Sequence, residues 1–303
     1  MYCLRSLILF LLSVFLASTI SAQSSSGQFS DSGLLRSEST GLATDSSDSY
    51  KMAYFLPRSG EDPEVFVEQA FQQNKLSKLD NRKAANVMNN WAVLLAKGSF
   101  YPQAAAALRR AVELDSDPAF YANLSTVYDK MNLLEESAAA AEQGVKLDPN
   151  DIHLRAQLCS AQLFVKKYSE AVTCFEEMEK ITELDDFYAT GYGIALAHAG
   201  FAAKAVAILT NIPTPDYSVR NALGMAYFKQ KNYVKAAEEF KTAVEMAPEL
   251  AQARYNLAIV QLVQKNRAGA LGQYKLLQEK NSAFAEKLSK ILFGNKIVNV
   301  RDL

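Results

Sequence analysis

Six times between Ala85 and Asn281 the chain sets a bulky residue beside a small one, and a dozen residues later places a lone alanine or serine. The fifth copy is the clearest: Asn221-Ala222-Leu223-Gly224-Met225-Ala226-Tyr227, then Tyr233-Val234-Lys235-Ala236, then Phe240, Ala243 and Pro248. A period near 34 residues with apolar positions at helical spacing predicts a row of helical hairpins rather than a globule built round one pocket. In each hairpin the small residue of the first helix (Ala92, Ser125, Cys159, Gly193, Gly224, Ala258) lets the second helix come close. Ala104, Ser137, Ala171, Ala205, Ala236 and Ala270 complete that contact from the second helix. Trp91, Tyr128, Phe175 and Phe240 are expected to fill the space between successive hairpins. No hairpin buries its apolar face alone, so stacking is obligatory. Punctuation agrees: in Asp148-Pro149-Asn150-Asp151, proline ends one helix and Asn or Asp caps the next.

Flanking segments follow the same logic. Asp62-Pro63 reads as an N-cap followed by proline at the first helical position, and Val65, Phe66, Ala70 and Phe71 share a face, which predicts a helix over about 63 to 79 within a flanking segment 62–84. Such a helix would cover the open end of the stack. At the other end, Ser282 could cap a closing helix to Phe293 (282–293), with Phe284, Leu288, Ile291 and Leu292 inward and Gly294 as the stop. The tail 294–303 contains the β-prone run Lys296-Ile297-Val298-Asn299-Val300, which either folds back on that cap or pairs with another chain.

The six copies over 85–281 resemble the tetratricopeptide repeat. Besides the residues above, they carry Leu95 and Tyr101 in the first copy, Tyr121 and Leu134 in the second, Leu158 and Tyr168 in the third, Tyr192 and Leu209 in the fourth, and Leu257 and Tyr274 in the sixth. The resemblance implies an all-α fold: a right-handed superhelical solenoid of about six helix-turn-helix units with flanking helices. It also implies that the first helix of each hairpin lines a concave, partner-binding face. Carried onto this chain, that groove comprises Asn89, Val93, Asn123, Thr126, Lys130, Gln157, Ser160, Phe164, Thr190, Ile194, His198, Asn221, Met225, Phe228, Tyr255, Ile259 and Val263. Its early part is polar and its late part apolar. Some family members grip a terminal carboxylate with a Lys and Asn cluster, but here Lys130 is the one inward lysine, so an extended or helical peptide held by apolar anchors is expected, with asparagine amides fixing its backbone. The alternative is that Met225, Phe228 and Ile259 merely pack between hairpins.

Residues 1–22 read as a signal peptide: Arg5, an apolar run from Leu7 to Leu16, then Ala17-Ser18-Thr19-Ile20-Ser21-Ala22 as a cleavage region. The run is shorter than the ~20 residues a membrane span needs, and the alternative is an uncleaved anchor. Residues 23–61 are Ser-rich without apolar period, hence a disordered leader. Within it Met52-Ala53-Tyr54-Phe55-Leu56 is an apolar exception that docks on the first hairpin, meets a partner or stays idle. Export to the periplasm or the extracellular space would leave Cys159 and Cys174 in an oxidising compartment, as either a disulfide or two small buried hydrophobes.

The 303 residues are 49% apolar, enough for a folded body, and 32 cationic side chains meet 33 acidic ones. That balance, with Arg109-Arg110 and Lys166-Lys167 as isolated doublets, argues against nucleic acid. His153 and His198 lack metal-ligand spacing to another His or Cys. No phosphate-binding glycine loop or nucleophile motif occurs, and Glu176-Glu177 on a helix and Asp185-Asp186 on a turn are poor acid/base pairs that read as free surface charges. Asn123-Leu124-Ser125 is a glycosylation sequon read as coincidence, because Leu124 and Ser125 are needed for packing. The expectation is a non-enzymatic, exported scaffold with a protein or peptide partner. No cofactor, metal, nucleic acid or small-molecule substrate is expected, and membrane contact at most through an uncleaved N-terminus. A self-associating structural subunit is the alternative.

Overall fold

The computed structural model describes residues 52, 55–57, 60–280 and 283–294. The expected signal peptide, nearly all of the Ser-rich leader, Ser282 and the tail from 295, with Lys296 to Val300, lie outside the described residues. Among the described residues the chain forms fourteen α-helices, one 3-10 turn and no strand.

Helix α1 (Pro63–Gln73) is followed by a 3-10 turn (Leu76–Lys78) and then by twelve helices that alternate as first and second members of the six copies. First helices are α2 (Asn81–Lys97), α4 (Pro118–Lys130), α6 (Ile152–Phe164), α8 (Asp186–His198), α10 (Tyr217–Lys229) and α12 (Ala251–Val263). Second helices are α3 (Tyr101–Leu114), α5 (Leu134–Leu147), α7 (Tyr168–Glu179), α9 (Ala202–Thr210), α11 (Tyr233–Met246) and α13 (Arg267–Glu279), and α14 (Ala283–Phe293) ends the row. Contacts divide the chain into two compact units, one up to Lys166 with α1–α6 and one from Lys167 with α7–α14.

Local chemistry explains where the helices begin and end. Five of the six first helices start on an aspartate whose carboxylate accepts from free backbone N–H groups of the first turn: Asp80, Asp117, Asp151, Asp185 and Asp216. The turns inside the copies follow another rule. Ser99, Asn132, Lys166, Lys231 and Lys265 all take φ between 61° and 65°, and Gly200 takes 96° at the equivalent place. That left-handed residue sends the chain back on itself. The next N–H then reaches a carbonyl near the end of the first helix, as in Phe100 to Leu95, Leu133 to Tyr128, Phe201 to Leu196 and Asn232 to Tyr227.

In the first unit, Phe66, Phe71, Met88, Trp91, Leu95, Leu108 and Phe120 form one core with the alanines of α3, and the Phe66 and Trp91 rings lie 5.4 Å apart. Met52 is fully buried in this core and Phe55 packs on it, so these two residues of the leader's apolar outlier dock on the first unit. The expected helix over 63 to 79 is shorter, because the Asn74 side chain bonds back to the Ala70 carbonyl and Lys75 turns left-handed. Val65, assigned to its packed face, is 51% exposed, and Val67 takes the inward position instead. In the second copy the small-residue contact is a buried hydrogen bond, Ser125 Oγ to Ser137 Oγ at 2.9 Å.

In the second unit the close approach within a hairpin is made against a large side chain. A Cβ on Gly224 would stand 2.6 Å from the Phe240 ring, and one on Gly193 would stand 2.5 Å from Leu209. Phe240 packs with Ala236, Ala243, Ala253 and Leu257, which spans the fifth and sixth copies. Helix α14 covers the end through Phe284, Leu288 and Leu292.

Candidate functional site

First helices touch first helices of the next copy inside each unit, α2 with α4, α4 with α6, α8 with α10 and α10 with α12. Inside each unit, second helices touch their own first helix and the following one, and α7 touches α8. Within each unit the first helices therefore form an inner row, and every groove residue proposed from sequence lies on one of these helices.

In the first unit that row is sewn together by amides. Asn123 Nδ2 donates to Asn89 Oδ1 at 2.8 Å, and both residues are only 1% exposed. Gln157 Nε2 donates to Thr126 Oγ1 at 2.8 Å, and the same hydroxyl donates to the Ala122 carbonyl. The Asn123–Asn89 and Gln157–Thr126 bonds link neighbouring copies and hold them in register, the first with water excluded by burial. Asn89, Asn123 and Thr126 are therefore interior residues that join helices rather than polar groups held out to a peptide, and Val93 is buried as well. Lys130 is exposed, and Gln157, Ser160 and Phe164 are half-buried.

The second unit has a different inner row. Thr190 is buried, and its hydroxyl donates back to the Asp186 carbonyl. Ile194 and His198 are half-buried, and the imidazole of His198 stacks on Tyr168, centroids 4.3 Å apart and planes within 11°. Asn256 Nδ2 donates to Asn221 Oδ1 at 3.0 Å, while Gln252 donates to Asn256 Oδ1 at 2.9 Å. Met225, Phe228, Tyr255 and Val263 remain half-buried. Phe228 meets Tyr233 edge to face and Tyr255 lies 5.4 Å from Phe284, so each aromatic rests on the core with one side open. Ile259, assigned to the groove, is buried in that core. Burial also holds the Tyr168 and Tyr255 phenols above the ordinary tyrosine pKa, so both stay neutral. Asn256 and Gln252 were not singled out from sequence, and Tyr168 was read only as a repeat residue of the third copy. The step of about 34 from Asn221 to Asn256 was a usable signal for the first of them.

Elsewhere on the second unit, Lys204 Nζ donates to Tyr192 Oη at 2.6 Å and to Glu176 Oε1 at 2.9 Å, and Tyr192 donates to Glu176. The Tyr192 hydroxyl and the Glu176 carboxylate raise the Lys204 pKa, while the bond from Lys204 lowers that of Glu176. This ion pair ties α7, α8 and α9 together. Glu176, read from sequence as a free surface charge, is one of its anchors. Cys159 on α6 and Cys174 on α7 are both buried. Among the described residues no group of three or more His, Cys, Asp or Glu could hold a metal, and no helix is long and apolar enough to cross a membrane.

The sequence matches the tetratricopeptide repeat over residues 118–151, 184–251 and 221–285. No curated protein matches it. Among solved structures, a tetratricopeptide repeat protein from Parabacteroides merdae is 12% identical with a TM-score of 0.55, covering 81% of this chain and 98% of its own. PilW, a type IV pilus biogenesis factor, is 16% identical with a TM-score of 0.54, covering 67% and 97%. In the Cut9-Hcn1 hetero-tetramer of the APC/C the match is 13% identical with a TM-score of 0.52, over 76% of this chain and 48% of that one. At these identities the likeness is one of fold. Alternating helices, left-handed turns and matched repeats together show that the chain carries tetratricopeptide repeats over 118–151 and 184–285, within an all-α helical-repeat fold.

Proposed function

We propose that the chain is an exported, non-catalytic adaptor of the periplasm or extracellular space that holds an extended or helical peptide on the inner row of the second unit. The observation that carries this reading is the set Met225, Phe228 and Tyr255, large side chains half-open to solvent on first helices. An open aromatic resting on a rigid core loses little entropy on binding, which is how anchor sites gain affinity. Beside them the Asn221–Asn256 bond is also half-buried and keeps spare donor and acceptor capacity for a peptide backbone. The fold supports a protein partner, since proteins with similar folds assemble with or act on others, as the Cut9-Hcn1 complex does.

The test is Met225→Ala with Phe228→Ala, scored by partner capture after crosslinking in the native compartment and by thermal melting. Lost capture at an unchanged midpoint supports the groove. Lost folding cooperativity makes these side chains core and removes the reading. Export rests on Arg5, the Leu7–Leu16 run and the small residues to Ala22. A mature N-terminus at Gln23 is the expected result, and a chain recovered from the cytoplasm with Met1 intact contradicts it. In that compartment Cys159 and Cys174 are proposed to be paired. An intact mass unchanged by alkylation without reductant fits, and two added labels exclude it.

A further inference from the structure

Two opposite edges of the second unit differ in the sign of the charge that predominates there. At the edge formed by the turns between first and second helices, Lys229, Lys231, Lys235, Lys265 and Arg267 are all exposed. The segments 197–204, 228–235 and 262–269 that make these turns contain no carboxylate. At the other edge, where second helices hand over to first ones, the exposed acids Glu183, Asp186, Glu245, Glu249 and Glu279 outnumber the exposed Lys180 and Lys280.

Helix dipoles explain only half of this. Lysine at the end of α10 and acids at the start of α8 suit the dipole of a first helix. Second helices run the other way, so the same segregation works against them. Lys235 sits in the first turn of α11 and Arg267 in that of α13, while Glu245 and Glu279 occupy their last turns. Charges placed against the dipole on two successive helices do not serve those helices. Each edge also shows apolar side chains: Phe201 and Val234, 56% and 63% exposed, on the basic side, and Phe187 and Met246 on the acidic side.

We propose that the basic edge of the second unit docks on the acidic edge of the second unit in another copy of this chain. Charge complementarity selects the copy over an anionic lipid surface. Lipid would engage the basic edge alone and leave the acidic edge, with Phe187 and Met246, without a counterpart. The contact is heterologous, so each copy keeps one free edge of each sign and assembly grows with concentration. This surface borders Phe228 at the end of α10, but none of the charged residues exchanged below is a groove residue, and its failure leaves the groove reading intact.

Sedimentation velocity of the purified chain across a concentration series is the test. At about 0.01 M salt, where screening acts over ~30 Å, the weight-average mass should rise on the order of twofold or more, and in about 1 M salt, where it acts over ~3 Å, it should fall back to monomer. The triple variants K229E/K231E/K265E and E183K/D186K/E249K should each stay monomeric, and an equimolar mixture of the two should associate. None of the six positions is a helix-capping aspartate, and melting curves check that each variant is folded. A wild-type chain that stays monomeric, reversed variants that associate as wild type does, or a mixture that stays apart each overturns the proposal. Vesicles containing phosphatidylglycerol form the second arm: binding that needs the three lysines, by a chain that stays monomeric, assigns the edge to lipid and overturns it too. Where a triple variant does not fold, the salt dependence of the wild type decides: association lost in high salt supports the contact, and absent or salt-insensitive association overturns it.

Discussion

The inner rows of the two units use one repeat for different ends. In the first unit Asn89, Asn123, Thr126 and Gln157 are consumed in bonds between helices, two of them at 1% exposure. In the second, Met225, Phe228 and Tyr255 stay half-open and the Asn221–Asn256 bond lies nearer to water. The cause is visible in spacing. Asn89, Asn123 and Gln157 recur every 34 residues, and the next step lands on Gly191, which has no amide to offer. Polar groups spent on register are unavailable to a partner, while the apolar groups left half-buried are the ones proposed to meet the peptide.

Several substitutions can break or sharpen that contrast. The largest effect is expected from Trp91→Ala, which empties the centre of the first core and should cost about 3–5 kcal/mol in denaturant unfolding. Gly224→Leu comes next, because its Cβ meets the Phe240 ring at 2.6 Å, and overpacking of this kind costs about 1–3 kcal/mol. The sharpest pair is Asn123→Ala against Asn256→Ala. The first leaves the buried Asn89 oxygen without its donor and should cost about 1–3 kcal/mol, whereas water can replace the second bond, for about 1 kcal/mol or less. Equal costs would erase the distinction between the two rows. The smallest effect concerns pH. Lys204 depresses the Glu176 pKa below the ordinary 4.5, so the stability it adds is present above pH 4.5 and lost as pH falls through the lowered value. Lys204→Gln should therefore narrow its melting difference from wild type on acidification below 4.5. A difference that stays constant would assign Lys204 a packing role.

The fold was legible because its signals are repeated. A twelve-residue step from small to small recurs in Gly224 and Ala236 as in Ser125 and Ser137, and close helix approach permits few other residues there. The candidate site was legible only as a helix face. Family resemblance put Asn89, Val93, Asn123 and Ile259 in the groove, yet helical spacing cannot distinguish a side chain that faces the next copy from one that faces solvent. The difference between them is a rotation of a few tens of degrees about the helix axis. Nor could spacing give the Tyr168–His198 stack or the Glu176–Tyr192–Lys204 cluster, which depend on how helices cross.

Phe164 and Phe228 offer a matched pair, both half-buried phenylalanines near the ends of first helices, one in each unit. A photoreactive phenylalanine analogue at each site in turn, irradiated in the native compartment, tests the account most directly. A protein crosslinked from position 228 and not from 164 is the predicted result. Crosslinking from 164 alone, or equally from both, would contradict it.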